Sequence, residues 1–163
     1  MSKYKLPLSI AFICLLMLGL WLTQPQKLAT APNAVFKTIS GDSIALADLK
    51  GKPVLITFWA SDCTACIAET TDLISLHNQF KTSGLTIIAV AMYYDPPNRV
   101  LELSQTRQLP YSIALDPAAE QAMAFGNIQF TPTSFLIDRT GTVVMQKTGR
   151  FDVTSVQELL KSL

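Results

Sequence analysis

Two largely apolar runs, residues 54–58 and 85–92, stand out along the chain. They are rich in β-branched side chains and bounded by Gly51-Lys52-Pro53, Gly84 and Asp95-Pro96-Pro97. Runs of that length without polar alternation predict strands covered on both faces. Between them Ile67, Leu73, Ile74, Leu76 and Phe80 recur at three- to four-residue spacing and Gly84 follows as a stop, which predicts a helix. Strand, helix and strand in that order make a βαβ unit, whose right-handed crossover places both strands parallel in one sheet. Ahead of it, residues 36–39 and 44–46 flank Ser40-Gly41-Asp42-Ser43, a hairpin signal, and residues 47–50 suit a single helical turn. Behind it come a helix over 98–108 with Val100, Leu101 and Leu103 inward, a short strand over 111–115 and a helix over 117–125 closed by Gly126. These read as an excursion before the sheet resumes. Strands over 134–137 and 142–148 then surround Asp138-Arg139-Thr140-Gly141, a hairpin turn, and a terminal helix over 153–163 turns Val156, Leu159, Leu160 and Leu163 to one side. The expectation is an α/β domain with a central mixed sheet flanked by helices.

The first 33 residues follow a different pattern. Residues 6–22 hold no charged side chain, Lys3 and Lys5 precede them, and Lys27 follows. That is a membrane-targeting segment near the lower length limit for a spanning helix. Ala29-Thr30-Ala31 has the form of a cleavage site, but Pro32 would follow the cut, and Ile13 before Cys14 is too large for lipoprotein processing. The expected division is therefore a retained anchor over 1–22, with a removable signal peptide as its alternative, a linker over 23–33 and a folded domain over 34–163. With the basic end in the cytoplasm, the domain faces outward, which in a bacterium means the periplasm.

About 130 residues outside the anchor suffice for one core. The net charge is +1 with no basic cluster, which gives no footprint for nucleic acid. The candidate chemistry lies where the first apolar run ends, at Phe58-Trp59-Ala60-Ser61-Asp62-Cys63-Thr64-Ala65-Cys66, which sets a Cys-x-x-Cys pair at the start of the predicted helix. Unpaired N–H groups and the macrodipole stabilise a thiolate there and lower its pKa. Cys63 at the helix mouth is the candidate nucleophile. Cys66, one turn deeper, is the candidate resolving thiol. A staple across two residues would remove little chain entropy, so a purely structural bridge is a poor reading of the pair. Zinc would need a second pair of ligands, and outside the anchor the chain offers only His77, so no metal site is expected.

Phe58-Trp59-Ala60 before Cys63 and Cys66, then Thr131-Pro132-Thr133, then Phe135-Leu136-Ile137-Asp138 with Gly141, resemble the thioredoxin-like fold. The membrane segment, the N-terminal hairpin and the inserted helix and strand make the chain similar to its TlpA/ResA branch over residues 33–162. The resemblance implies a thiol-disulfide oxidoreductase whose only redox group is the Cys63–Cys66 disulfide, with no cofactor, and with Pro132 as a cis-proline facing the pair. Thr131 would offer backbone hydrogen bonds to the substrate chain. It further implies exported client proteins with cysteine pairs, such as apocytochrome c, and an integral membrane electron donor of the DsbD/CcdA-like kind. Glu69 matches an acidic residue often carried after the motif, and Asp95 falls near an acidic side chain that serves such sites as proton acceptor.

The chain also departs from the family pattern. Asp62 stands where Trp is usual, Thr64-Ala65 lacks the common proline, and Thr70-Thr71 replaces a helix-kinking one. Asp62 is either an N-terminal cap or a group tuning the Cys63 thiol. Glu69 reads either as a solvated first-turn residue or as a tuning group. Asp95 is a base for Cys66 or the start of a turn. A disulfide-forming oxidant of the same fold and a copper-binding thiol chaperone are the alternatives. The peroxide-reductase pattern is absent, with Ile56 and Ala60 in its required places. A docking module with vestigial cysteines is a further, non-enzymatic reading.

Overall fold

The computed structural model describes Ile10, residues 12–17 and residues 30–163. Ile10 and residues 12–17 are helical, and no helix among the described residues is long and apolar enough to cross a membrane. The rest of the expected anchor lies outside the described residues, as does the linker up to residue 29. The end of that linker is tied to the domain, since Thr30 bridges Thr142 and the Ala31 N–H donates to Gly141 O at 3.0 Å.

Seven strands form one mixed sheet: β1 Val35–Thr38, β2 Ser43–Ala45, β3 Val54–Trp59, β4 Thr86–Ala91, β5 Ser112–Leu115, β6 Thr133–Ile137 and β7 Val143–Thr148. Their order is β2-β1-β5-β4-β3-β6-β7, with β3, β4 and β5 parallel and the remaining neighbours antiparallel. Among the described residues from 30 onward the α-helices are α1 Thr64–Phe80, α2 Pro97–Thr106, α3 Glu120–Ala124 and α4 Val153–Ser162. Helix, strand and hairpin signals thus mark real elements, with two corrections of placement. Strand β5 is no excursion, because it lies inside the sheet between β4 and the hairpin strand β1. Leu101 is not inward but 42% exposed, since only Val100 of that turn faces the sheet.

Alternation along the buried strands feeds two cores. Leu55, Trp59, Ile87 and Leu136 pack with Leu73 and Leu76 of α1, Val100 of α2 and Val156 and Leu160 of α4. On the other face, Phe58, Phe125 and Phe135 form an aromatic centre with ring centroids 5.1 to 6.1 Å apart. Each such ring stabilises the fold by about 1.5–3 kcal/mol of burial. Helix α3 is shorter than its sequence signal because Ala119 takes φ 55, and the Asp116 carboxylate instead accepts from the N–H groups of Gln121 and Ala122 at 3.1 and 2.8 Å.

This register decides where the site sits. Phe58 of β3 pairs with Thr133 of β6, so the chain leaving β3 towards α1 and the chain entering β6 meet at the same end of the sheet.

Candidate active site

The turn between β3 and α1 presents the two cysteines. The Cys63 N–H closes it on Ala60 O at 3.2 Å, and Cys63 then occupies the N-cap of α1 with extended φ −85 and ψ 105. Its sulfur accepts the Cys66 N–H at 3.1 Å, one of the first-turn donors that no helical carbonyl can satisfy. Cys63 and Cys66 are joined in a disulfide. Cys63 is half-buried and Cys66 only 3% exposed, so an incoming chain meets the first sulfur and finds the second behind it. The Thr131–Pro132 peptide is cis, and the Thr131 carbonyl oxygen lies 3.6 Å from Cys63 Sγ.

The acidic residues fall out differently from their sequence readings. Asp62 is exposed and does not cap α1, because Cys63 itself holds that position. Glu69 is no solvated first-turn residue. It lies in the second turn of α1, 1% exposed, on the stripe with Cys66 and Leu73 that packs on the sheet. Burial pushes its carboxyl up to about 7, against the opposing pull of the Phe151 N–H, which donates to Oε1 at 3.1 Å, and of the Arg150 cation. Asp95 is also buried, yet it is bonded to neither sulfur. Its two oxygens take the Ser61 N–H and the Ser61 hydroxyl, each at 2.6 Å, while its own N–H closes a turn on Met92 O at 2.9 Å. The carboxylate therefore fastens the turn that carries Cys63.

Several residues of this neighbourhood are not apparent from motif reading. Thr57 and Ser134 share a 2.9 Å hydroxyl bond on the α1 side of the sheet, and the Thr57 hydroxyl faces Glu69. Burial, with Glu69 nearby, holds the Tyr111 phenol above its ordinary range. The available signal is a polar side chain inside an apolar run, as with Thr57 in VLITFW and Ser134 in TSFLI. His77 stands eleven residues beyond Cys66 on α1, about 16 Å along the axis, too far to complete a metal site with the thiols. Trp59 is 4% exposed and packs in the core beneath α1. Tyr93, Tyr94 and Phe130 expose large aromatic surface, Phe130 one residue before Thr131.

Comparison with known proteins gives a consistent result. The Redoxin family profile matches residues 26–163. The chain is 32% identical over 133 residues to the thiol-disulfide oxidoreductase ResA of Bacillus thuringiensis subsp. konkukian, covering 82% of this chain and 76% of that protein. It is 29% identical to ResA of Bacillus subtilis, covering 80% and 72%. Among solved structures, a thioredoxin-family thiol:disulfide interchange protein from Chlorobium tepidum superposes with a TM-score of 0.75 at 25% identity, over 85% of this chain and 98% of that one. The thioredoxin domain of a thiol-disulfide oxidoreductase from Bacteroides vulgatus gives 0.73 at 25% identity, over 84% and 99%.

Proposed function

The chain belongs to the Redoxin family and is a ResA-like thiol-disulfide oxidoreductase, and from that premise we propose that it reduces disulfides of exported proteins at the outer face of a bacterial inner membrane. The single observation that carries the direction of attack is the unequal exposure of the two sulfurs, with Cys63 reachable at the helix mouth and Cys66 buried behind it.

In the reduced enzyme the Cys63 thiolate, stabilised by the first-turn N–H groups, attacks one sulfur of a client disulfide. A Cys63–client bond forms, and the other client sulfur leaves as a thiolate and takes a proton from water. Cys66 then loses its proton and attacks the Cys63 sulfur. The Cys63–Cys66 disulfide forms and the second client thiolate departs, so two electrons have passed from the enzyme to the client. Glu69 takes the Cys66 proton in this reading, which is supported by the helical face the two share three residues apart on α1 and by a carboxyl near 7, matched to that task at neutral pH. The Thr131–Pro132 loop gives the client chain a backbone edge beside Cys63. Residues 1–22 anchor the domain, with an integral membrane thiol carrier of the DsbD/CcdA-like kind restoring the dithiol. A client such as apocytochrome c, holding a cysteine pair for haem, suits this chemistry. No bound cofactor enters any step.

Cys66→Ala tests the assignment. Cys63 in that variant should trap clients as mixed disulfides recoverable from intact membranes under non-reducing conditions, and the further change Cys63→Ala should abolish them. Recovery of no Cys63-dependent adduct would overturn the roles given to both cysteines.

A further inference from the structure

Three consecutive residues after β7 touch three separate parts of the site. The Gly149 N–H donates to the Pro132 carbonyl at 2.8 Å. Arg150 Nη2 meets Asp72 Oδ2 of α1 at 2.8 Å. The Phe151 N–H donates to Glu69 Oε1 at 3.1 Å, and the Phe151 ring is 5% exposed in the core under α1 and α4. Gly149 sits at φ 77, a left-handed conformation that lets the chain turn from the Pro132 loop towards the helix. Asp72 and Glu69 are three residues apart and share one face of α1, so the ion pair holds the turn against the same helix surface that carries the buried carboxyl.

Resting on the catalytic reading above, we propose that Arg150 is a positioning residue whose pairing with Asp72 holds Gly149-Arg150-Phe151 as a strut between the loop on which the client lies and the carboxyl of Glu69. A client chain bonded to the Thr131–Pro132 loop draws the Pro132 carbonyl towards itself. Through the Gly149 N–H that displacement reaches Phe151 and loosens its N–H from Glu69. A carboxylate that loses a donor becomes a stronger base. Client docking therefore readies Glu69 for the Cys66 proton at the stage when that proton must leave, and by reciprocity the proton on Glu69 alters how the client sits. The groups bearing on Glu69 are Asp72 on α1, which carries Cys66 on the same face, the Thr57 hydroxyl on β3, itself bonded to Ser134 of β6, the Tyr111 phenol before β5, and Arg150 with the Phe151 N–H after β7. Of these, Arg150 is the cation; it pairs with Asp72 and acts on Glu69 through its charge.

The test is the carboxyl 13C titration of Glu69 in the full-length Cys66→Ala chain, with Glu69→Gln assigning the signal. The midpoint is compared with Cys63 capped as a methyl disulfide and with Cys63 bonded to a short cysteine peptide. With Arg150 present, the peptide should raise the midpoint by roughly half a pH unit, the scale of losing one shared donor in a partly screened site. In Arg150→Met the capped form should already titrate higher, and the peptide should add less than about a fifth of a unit. Arg150→Lys keeps the charge without the planar fork and should restore the capped midpoint but only part of the response. An equal peptide response with Met at position 150, or none with Arg, would overturn the strut. A merely structural ion pair would lower the unfolding midpoint and leave these shifts alone. Disulfide reduction by the wild-type chain, assayed in parallel, stands or falls with the catalytic reading alone.

Discussion

Glu69 is the residue at which burial and chemistry meet. In the unfolded chain its carboxyl titrates at the ordinary 4.5, and in the fold at about 7. Between those values the native state binds more protons than the unfolded one, so stability falls as pH rises through the window, by roughly 3 kcal/mol in all. Below pH 4.5 both states are protonated and the loss is absent. Glu69→Gln keeps an oxygen for the Phe151 N–H but has nothing to ionise. Urea unfolding should therefore find the Gln chain more stable than wild type by about 1–3 kcal/mol at pH 8 and within about 0.5 kcal/mol at pH 4. Asp138 and Asp152, whose hydrogen bonds hold their carboxyls below the usual range, lose stability on acidification in both chains and drop out of the difference. The functional counterpart is slower release of a Cys63-bound client near pH 7, by roughly a hundredfold, the lower range for a positioned general base. Equal stability profiles would remove Glu69 from both roles.

At the level of elements, the β3–α1 turn is the piece whose order the chemistry needs, and Asp95 at the end of the β4 side holds it. Asp95→Ala leaves the Ser61 N–H and hydroxyl without their acceptors, a cost of about 1–3 kcal/mol. Hydrogen exchange should quicken at residues 61–63 while the β3 and β4 amides keep their protection; unchanged exchange at Ser61 would show that the carboxylate does not fasten the turn. Helix α1 shows how far the sequence could be read. Ile67, Leu73, Leu76 and Phe80 gave its period, and continuing that period from Cys66 through Leu73 passes over Glu69, so the buried carboxyl was within reach of helical phase. The sequence leaves Glu69 between a solvated residue and a tuning group because charged side chains near a helix start ordinarily face water. The pairing of Asp95 with Ser61 was not legible at all. It joins residues 34 apart across two parallel strands, and only the register of β3 on β4 brings them together.

Across the whole molecule, the βαβ unit and the closing hairpin were legible because local period and turn chemistry specify them. The place of β5 was not, since a strand of four residues carries no mark of its neighbours, and it took the β1–β5 and β4–β5 pairings to seat that strand in the sheet. The direction of electron flow is likewise a property of the whole site. An oxidising pair is one whose reduced form is stabilised, as in DsbA near −120 mV, whereas thioredoxin lies near −270 mV. Helix-start donors favour the Cys63 thiolate here, but the exposed carboxylate of Asp62 beside it and the buried Glu69 behind it both oppose added negative charge. The gap of roughly 150 mV between those two couples corresponds to about 7 kcal/mol of preference for the dithiol. The Cys63/Cys66 couple, equilibrated against glutathione or dithiothreitol buffers, should therefore lie at or below about −250 mV, where it can hand electrons to client disulfides and needs a strong donor to recharge it. A value near about −120 mV would make the same fold an oxidant and reverse the proposed direction while leaving the attack by Cys63 intact.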